Sequence, residues 1–218
     1  NLYVLVEVTG GGHCAKVEIQ EHHNHITYME KDGEVVLDHR PTPQTAPKNT
    51  GADRMLLNLQ NILEFAEEVQ LSDVQELLQR QIDYNCAIST EGLKGNYGVE
   101  TGRILMSNSI NAMGLNRVRL QARAAAAAGS DARMSGCSLP VVINSGSGNQ
   151  GITVTMPIVM YARHWEADQA LLYRALVIGN LVSVHQKKYM GSLSAYCDAT
   201  SAATGAACGI GYMLLKQQ

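Results

Sequence analysis

A loop that alternates glycine with small hydrogen-bonding residues is the stretch of this sequence best suited to chemistry. It reads Ser145-Gly146-Ser147-Gly148-Asn149-Gln150-Gly151, and an apolar run from Ile152 to Met160 follows it directly. Glycines let backbone N–H groups converge on an anion, and the positive end of a following helix favours negative charge there. The hydroxyl and amide side chains add groups that can bind a carboxylate or an amine. The loop therefore predicts a pocket for a small carboxylate-bearing molecule, and a glycine-rich turn between packed elements is the alternative.

Three further segments accompany this loop in one known group of sequences. They are Gly129 to Cys137, Leu139-Pro140-Val141, and Tyr189 to Cys197. Together with the loop, they resemble bacterial proteins related to the L-cysteine desulfidases and to the α-domain of iron–sulfur L-serine dehydratases. The resemblance is strongest between residues 130 and 208 and is looser over the first 50 residues.

The resemblance implies an iron–sulfur lyase that eliminates the β-substituent of L-cysteine or L-serine and yields pyruvate and ammonia. Cys197 matches the family cysteine that binds a [4Fe-4S] cluster, in which one iron without a protein ligand acts as a Lewis acid. Relatives carry a second cysteine pair further along, which these 218 residues lack. We therefore expect this chain to be an inactive fragment that holds no cluster. A small amino-acid or carboxylate binding or regulatory protein without turnover is the alternative function.

The resemblance and the loop together define a set of predicted substrate-binding residues. These are Ser145, Gly146, Ser147, Gly148, Asn149, Gln150 and Arg133. Asp131 and Arg133 follow an alanine run, and two interpretations are open. They form a charge pair at a helix C-terminus, or Arg133 lies in the pocket and binds a substrate carboxylate. The general base stays unassigned, and no lysine motif suggests pyridoxal phosphate.

The other cysteines and the histidines have simpler interpretations. Cys208 lies eleven positions after Cys197, which corresponds to about 16 Å along a continuous helix and is too far for one cluster. We therefore expect Cys208 to pack in the core, as we do for Cys86. Cys14 is expected to be a structural residue of the sheet. Cys137 precedes the glycine loop, where core packing is the favoured interpretation and a position facing the pocket is the alternative.

The segment His22-His23-Asn24-His25 could place two imidazoles on one face of a strand. A turn is the favoured interpretation, because no third metal ligand is specified. His164 and His185 are expected to be hydrogen-bonded partners within helices rather than general bases.

The composition excludes several classes of protein. The net charge of −3 provides no basic surface for nonspecific nucleic-acid binding. No run of about 18 apolar residues predicts a membrane span, and no signal peptide is visible. An odd count of five widely spaced cysteines favours reduced thiols in a cytoplasm.

The pattern of elements predicts an α+β fold, a small antiparallel sheet followed by a mostly α-helical bundle. Residues 2–8, 14–20 and 25–30 show strand composition, and Gly10 to Gly12 and Asp32-Gly33 predict turns. Helical periodicity begins near Asp53, and Ser72-Asp73 predicts the cap of a second helix. Six more helices are predicted near residues 99–113, 116–128, 151–163, 167–186, 190–204 and 206–216.

The domain prediction follows from this change of pattern. Residues 1–40 form a small β unit, expected to belong to a larger N-terminal domain, and residues 41–52 form a proline-rich linker. Residues 53–218 form a helical domain that we expect to be truncated at its C-terminus. An uncovered apolar face there favours a homo-oligomer.

Overall fold

A computed structural model describes residues 2–22, 24–40, 53–190, 197 and 199–217. Contacts between residues divide it into two compact units, one of which holds the strands and the other the helices. The predicted linker, residues 41–52, lies outside the described residues. The α+β class predicted from the sequence is confirmed.

The first unit is a four-stranded antiparallel sheet in the order β1-β2-β3-β4. Its strands are β1 (Tyr3–Gly10), β2 (His13–Gln20), β3 (Ile26–Lys31) and β4 (Glu34–Asp38). The sequence pattern predicted the first three strands and missed β4. Asp32 and Gly33 adopt φ values of 51° and 83° between β3 and β4, and two residues at positive φ make the tight hairpin turn that pairs β4 with β3.

Within its described residues, the second unit contains seven α-helices after a short 3₁₀ turn at Arg54–Leu56. The helices are α1 (Leu59–Glu68), α2 (Leu71–Leu93), α3 (Thr101–Ser109), α4 (Gly114–Met134), α5 (Gly148–His164), α6 (Gln169–Met190) and α7 (Ala199–Lys216). None of the helices in the described ranges is long and apolar enough to cross a membrane.

Two of the predicted helix boundaries are wrong. The expected break between helices 190–204 and 206–216 is absent, because α7 passes through Gly205 as one helix from Ala199 to Lys216, and residues 191–196 and 198 lie outside the described residues. The predicted cap Ser72-Asp73 lies inside the first turn of α2, whose N-cap is Gln70 without a side-chain capping bond.

Small residues let the helices of the second unit approach each other closely. A Cβ on Gly205 would lie 2.2 Å from the carbonyl oxygen of Gly179, so α6 and α7 meet backbone to backbone. Gly92 of α2 and Gly102 of α3 contact the backbone of Ala128 in the same way. The alanine run of α4 therefore packs directly against α2 and α3.

Candidate functional site

The glycine loop forms a tight turn and the first turn of α5, as its sequence predicted. Asn144 and Ser147 pair across the turn through two backbone hydrogen bonds of 3.0 and 3.1 Å. The two residues between them, Ser145 and Gly146, have φ values of 49° and 86°, which is the geometry of a two-residue hairpin turn. Ser147 is the N-cap of α5, and its hydroxyl accepts a hydrogen bond from the N–H of Gln150 at 3.3 Å.

Arg133 lies against the first residues of α5. Its Nη1 donates to Asn149 Oδ1 at 3.3 Å, and a Cβ on Gly148 would lie 2.3 Å from Arg133 Nε. Within the described residues, Arg133 forms no ion pair, whereas Asp131 accepts a hydrogen bond from the N–H of Gly102 at 3.4 Å. The structure therefore does not contain the alternative charge pair between Asp131 and Arg133.

The start of α5 combines two sources of positive potential. In the part of the chain that the structure describes, no hydrogen bond uses the N–H groups of Gly148 and Asn149. The positive end of the helix and the Arg133 guanidinium lie together and favour an anion. The predicted role of this loop and of Arg133 as a substrate site remains a prediction.

A chain of buried amides connects this loop to the helices behind it. Gln150 is fully buried, and its Nε2 donates to Asn144 Oδ1 at 3.1 Å and to Ser201 Oγ at 3.2 Å. Asn144 Nδ2 donates to Asn180 Oδ1 at 2.8 Å, and Asn180 Nδ2 donates to Gln81 Oε1 at 2.9 Å. The loop is thus fixed to α2, α6 and α7 through polar side chains.

Asn85 holds the segment before the loop in the same way. Its side-chain amide accepts from the N–H of Val142 at 3.0 Å and donates to the carbonyl of Val142 at 3.2 Å. It also donates to Thr155 Oγ1 at 3.0 Å. The fully buried side chain of Asn85 therefore pairs with both the N–H and the C=O of Val142, as a neighbouring strand does in a sheet.

The sequence analysis missed most of this network. The missed residues are Gln81, Asn144, Thr155, Asn180 and Ser201. The sequence assigns no role to Asn85 and suggests a polar turn after the second helix for it, which is wrong, because Asn85 lies within α2. A signal was present in α2, because Gln81, Asn85 and Ser89 follow each other at four-residue spacing and lie on its buried face. Polar residues on the buried face of a helix require hydrogen-bonding partners.

Cys197 is an exposed free cysteine just before α7. The expectation that it lies on a helix is wrong, since α7 begins at Ala199. Its carbonyl accepts a hydrogen bond from the N–H of Thr200 at 3.1 Å. Ser201, which contacts Gln150, follows four residues later. The resemblance implies a cluster on Cys197 and a substrate at the glycine loop, so the two should lie close together. Their distance remains a prediction.

The described residues do not fit a complete cluster site. They contain no group of three or more His, Cys, Asp or Glu side chains that could hold a metal ion. The other four cysteines, Cys14, Cys86, Cys137 and Cys208, are free and half-buried. Cys197 therefore offers one accessible thiol, which is too few for a [4Fe-4S] cluster.

Cys137 lines an open pocket of about 450 Å³ with Tyr97 and Glu91. The Tyr97 hydroxyl donates to Glu91 Oε1 at 3.2 Å. A hydrogen bond with Cys137, together with burial and the Glu91 charge, raises the pKa of Tyr97 to about 12. The phenol therefore stays protonated at neutral pH and acts as a hydrogen-bonding group.

The histidines do not form a site in the described residues. Nδ1 of His185 is buried without a hydrogen-bond partner, and its ring meets Tyr189 edge-on at 5.6 Å. The expectation of a hydrogen-bonded His185 is therefore wrong for this nitrogen. His25 Nδ1 lies 3.1 Å from the carbonyl oxygen of Gln20, close to β2, and His23 lies outside the described residues. His164 is the last residue of α5.

Residues 14–218 match the family model of the serine dehydratase alpha chain. The chain therefore belongs to the serine dehydratase alpha chain family.

Similar curated proteins carry UPF0597 names that state no activity. One from Desulfitobacterium hafniense (strain Y51) is 46% identical over 202 residues, covering 91% of this chain and 44% of that protein. One from Finegoldia magna is 47% identical over 201 residues, covering 92% of this chain and 46% of that protein. The chain thus spans about half the length of the curated relatives it matches, and no solved structure matches it.

Proposed function

We propose that this chain carries the carboxylate-binding site of a lyase that acts on a small amino acid. The observation that supports this function is the position of Arg133 beside the N-terminus of α5. Its guanidinium lacks an anionic partner among the described residues, and two N–H groups of the helix stand next to it. A carboxylate in this position accepts hydrogen bonds from both sources of positive charge.

The proposed reaction is a β-elimination of the serine dehydratase type. Loss of the α-proton and of the β-substituent from L-serine gives 2-aminoacrylate and water, and L-cysteine gives 2-aminoacrylate and hydrogen sulfide. Hydrolysis of 2-aminoacrylate then yields pyruvate and ammonia. The α5 site holds the carboxylate and so orients the Cα–H bond toward a base. The glycine turn and the hydrogen bonds of the buried amides behind it hold the backbone of that anchor in place.

The finer proposal concerns the cofactor. We assign Cys197 as one ligand of a [4Fe-4S] cluster, because its thiol is exposed and it lies four residues before Ser201, which contacts the loop. When bound, such a cluster supplies a Lewis acid for the leaving group. The remaining thiolates have to come from outside the described residues, so no step of the reaction is assigned to the cluster.

The test uses the complete gene product, purified without oxygen. Iron and sulfide are measured, and pyruvate release is followed from L-cysteine and L-serine. Replacing Arg133 with methionine removes the charge and keeps an unbranched side chain, so kcat/KM should fall about a hundredfold. Arg119→Met is the matched control, because Arg119 is an exposed arginine on the same helix. Wild-type kcat/KM in Arg133→Met would overturn the proposed anchor.

Binding without turnover is the second candidate function. It is supported by the same Arg133 guanidinium beside the start of α5, which can hold a carboxylate without any further chemistry. Calorimetric binding of L-serine or L-cysteine, together with no pyruvate and no iron in the anaerobic protein, selects this function over the lyase.

A further inference from the structure

Gln150 carries a buried hydrogen-bond acceptor that no donor in the described residues satisfies. The residue is fully buried, and its Oε1 has no hydrogen-bond partner in the part of the chain that the structure describes. Buried polar atoms in native proteins are nearly always paired, so an exception indicates strain, a water molecule or a ligand. This atom belongs to the first turn of α5, where the proposed carboxylate site lies.

The orientation of the Gln150 amide follows from its neighbours. Nε2 faces Asn144 Oδ1, which already accepts a hydrogen bond from the Ser145 hydroxyl at 2.9 Å. The Asn144 amide is itself oriented, because its Nδ2 donates to Asn180. Exchanging Nε2 and Oε1 in Gln150 would place two acceptor oxygens against each other. Oε1 is therefore the unpaired atom.

The Gln150 side chain turns back toward the N-terminus of its own helix. Its Nε2 reaches Asn144, which precedes the helix, and Ser201 in the first turn of α7. Oε1, on the same amide, therefore lies where the glycine turn and the start of α7 meet. The N–H groups of Gly148 and Asn149 belong to the same end of α5.

We propose that Gln150 Oε1 accepts a hydrogen bond from the α-ammonium group of an amino acid whose carboxylate is held by Arg133 and the start of α5. This inference rests on the proposed function and adds the residue that recognises the ammonium group, which one carbon joins to the carboxylate in every α-amino acid. A carbonyl oxygen that lacks a donor is complementary to an ammonium group. Because Oε1 is closed to solvent without a ligand, the side chains around it must shift when the amino acid binds.

The test compares ligands that differ in the α-ammonium group alone. L-cysteine is compared with 3-mercaptopropionate, and L-serine with 3-hydroxypropionate, by calorimetry on the metal-free protein. The amino acids should bind at least about tenfold more tightly than their analogues, as expected for a hydrogen bond to a charged group.

Two variants separate recognition from packing. Gln150→Met removes the acceptor and should reduce the discrimination to less than about threefold, with little change in the affinity for 3-mercaptopropionate. Gln81→Met is the matched control, because Gln81 is also a buried amide, only 2% exposed, in the same network. It should keep the tenfold preference, even where it lowers the melting temperature as much as Gln150→Met does.

A measurement on the unmutated protein covers the case in which Gln150→Met does not fold. The ¹³C resonance of the Gln150 side-chain carbonyl should shift with L-cysteine and stay in place with 3-mercaptopropionate. Equal affinities for both ligands, or a preference that survives in Gln150→Met, overturn the ammonium assignment and leave the carboxylate site intact. Failure of all four ligands to bind overturns the carboxylate site and, with it, this inference.

Discussion

The guanidinium of Arg133 fills the space that a side chain at Gly148 would occupy. A Cβ at that position would lie 2.3 Å from Arg133 Nε and 2.8 Å from Cζ. Glycine at the first residue of α5 thus lets a cation lie against the positive end of a helix. Two positive groups in contact are unfavourable on their own. A bound anion compensates both of them, which is the physical basis of the proposed carboxylate site.

Gly148→Ala should weaken carboxylate binding without unfolding the protein. The new methyl group has to displace Arg133, whose side chain is exposed and free to rotate away. We expect the affinity for 3-hydroxypropionate and L-serine, measured by calorimetry, to fall about tenfold for the loss of one charge-assisted hydrogen bond. Gly211→Ala is the control, because nothing lies within 4 Å of a Cβ there. Unchanged affinity in Gly148→Ala would argue that Arg133 does not contact the ligand.

Gly205→Ala should destabilise the helical unit. Its methyl group would lie 2.2 Å from the carbonyl oxygen of Gly179 and 2.3 Å from Ser183 Oγ, and the backbone of α6 cannot yield as a side chain can. We expect the free energy of unfolding in urea to fall by about 2–3 kcal/mol. Gly211→Ala, on the same helix, should instead stabilise by up to about 1 kcal/mol through helix propensity. Equal effects of the two substitutions would contradict the close contact of α6 with α7.

Periodicity explains why the sequence predicted the order of elements but not all of their contacts. The sheet, the helical region and the position of the loop at the start of α5 follow from local patterns of apolar residues and glycines. The sequence predicts a break at Gly205, because glycine disfavours helices in isolation, whereas in the fold Gly205 allows the contact of α7 with α6. The hydrogen bond between Gln150 and Ser201 joins residues 51 positions apart. Such a pairing depends on how the helices pack and has no local signal.

Asn85→Ala should be more costly than a typical asparagine substitution. It removes two part-buried hydrogen bonds to the backbone of Val142 and one buried hydrogen bond to Thr155. The unpaired N–H and C=O of Val142 should lower the free energy of unfolding by about 2–4 kcal/mol. Asn108→Ala on the exposed surface of α3 serves as the control and should change it by less than about 0.5 kcal/mol. A similarly small loss in Asn85→Ala would mean that water replaces the amide.

The ion pair of Glu67 with Lys216 predicts a contribution to stability that is lost in acid. Lys216 Nζ lies 2.7 Å from Glu67 Oε1, and this contact, with a hydrogen bond from Tyr212, lowers the pKa of Glu67 below its usual 4.5. A lowered folded-state pKa stabilises the fold above pH 4.5, and the contribution disappears as the pH falls through the folded-state value. The pair is about half exposed, so the effect should stay below about 1 kcal/mol.

Urea unfolding at pH 7 and pH 3 measures this contribution. Glu67→Gln should lose less stability between the two pH values than the unmutated protein does. Glu68→Gln, at the neighbouring exposed position, should lose as much as the unmutated protein. An identical loss in all three proteins would show that the ion pair contributes nothing.

Cys197 should be the fast-reacting thiol of this chain. It is exposed, whereas the other four cysteines are half-buried. Burial raises the thiol pKa of Cys86 and Cys208, and burial with the nearby Glu7 charge raises that of Cys14, which reduces the reactive thiolate. Ellman's reagent should therefore label one thiol rapidly, and Cys197→Ser should remove that phase while Cys208→Ser keeps it.

Anaerobic reconstitution of these 218 residues with iron and sulfide should leave less than one cluster per chain, because one accessible thiolate cannot hold several corners of a cluster. Four irons per chain would contradict the expected lack of a cluster. A fast phase that persists in Cys197→Ser would show that another thiol is the fast-reacting one.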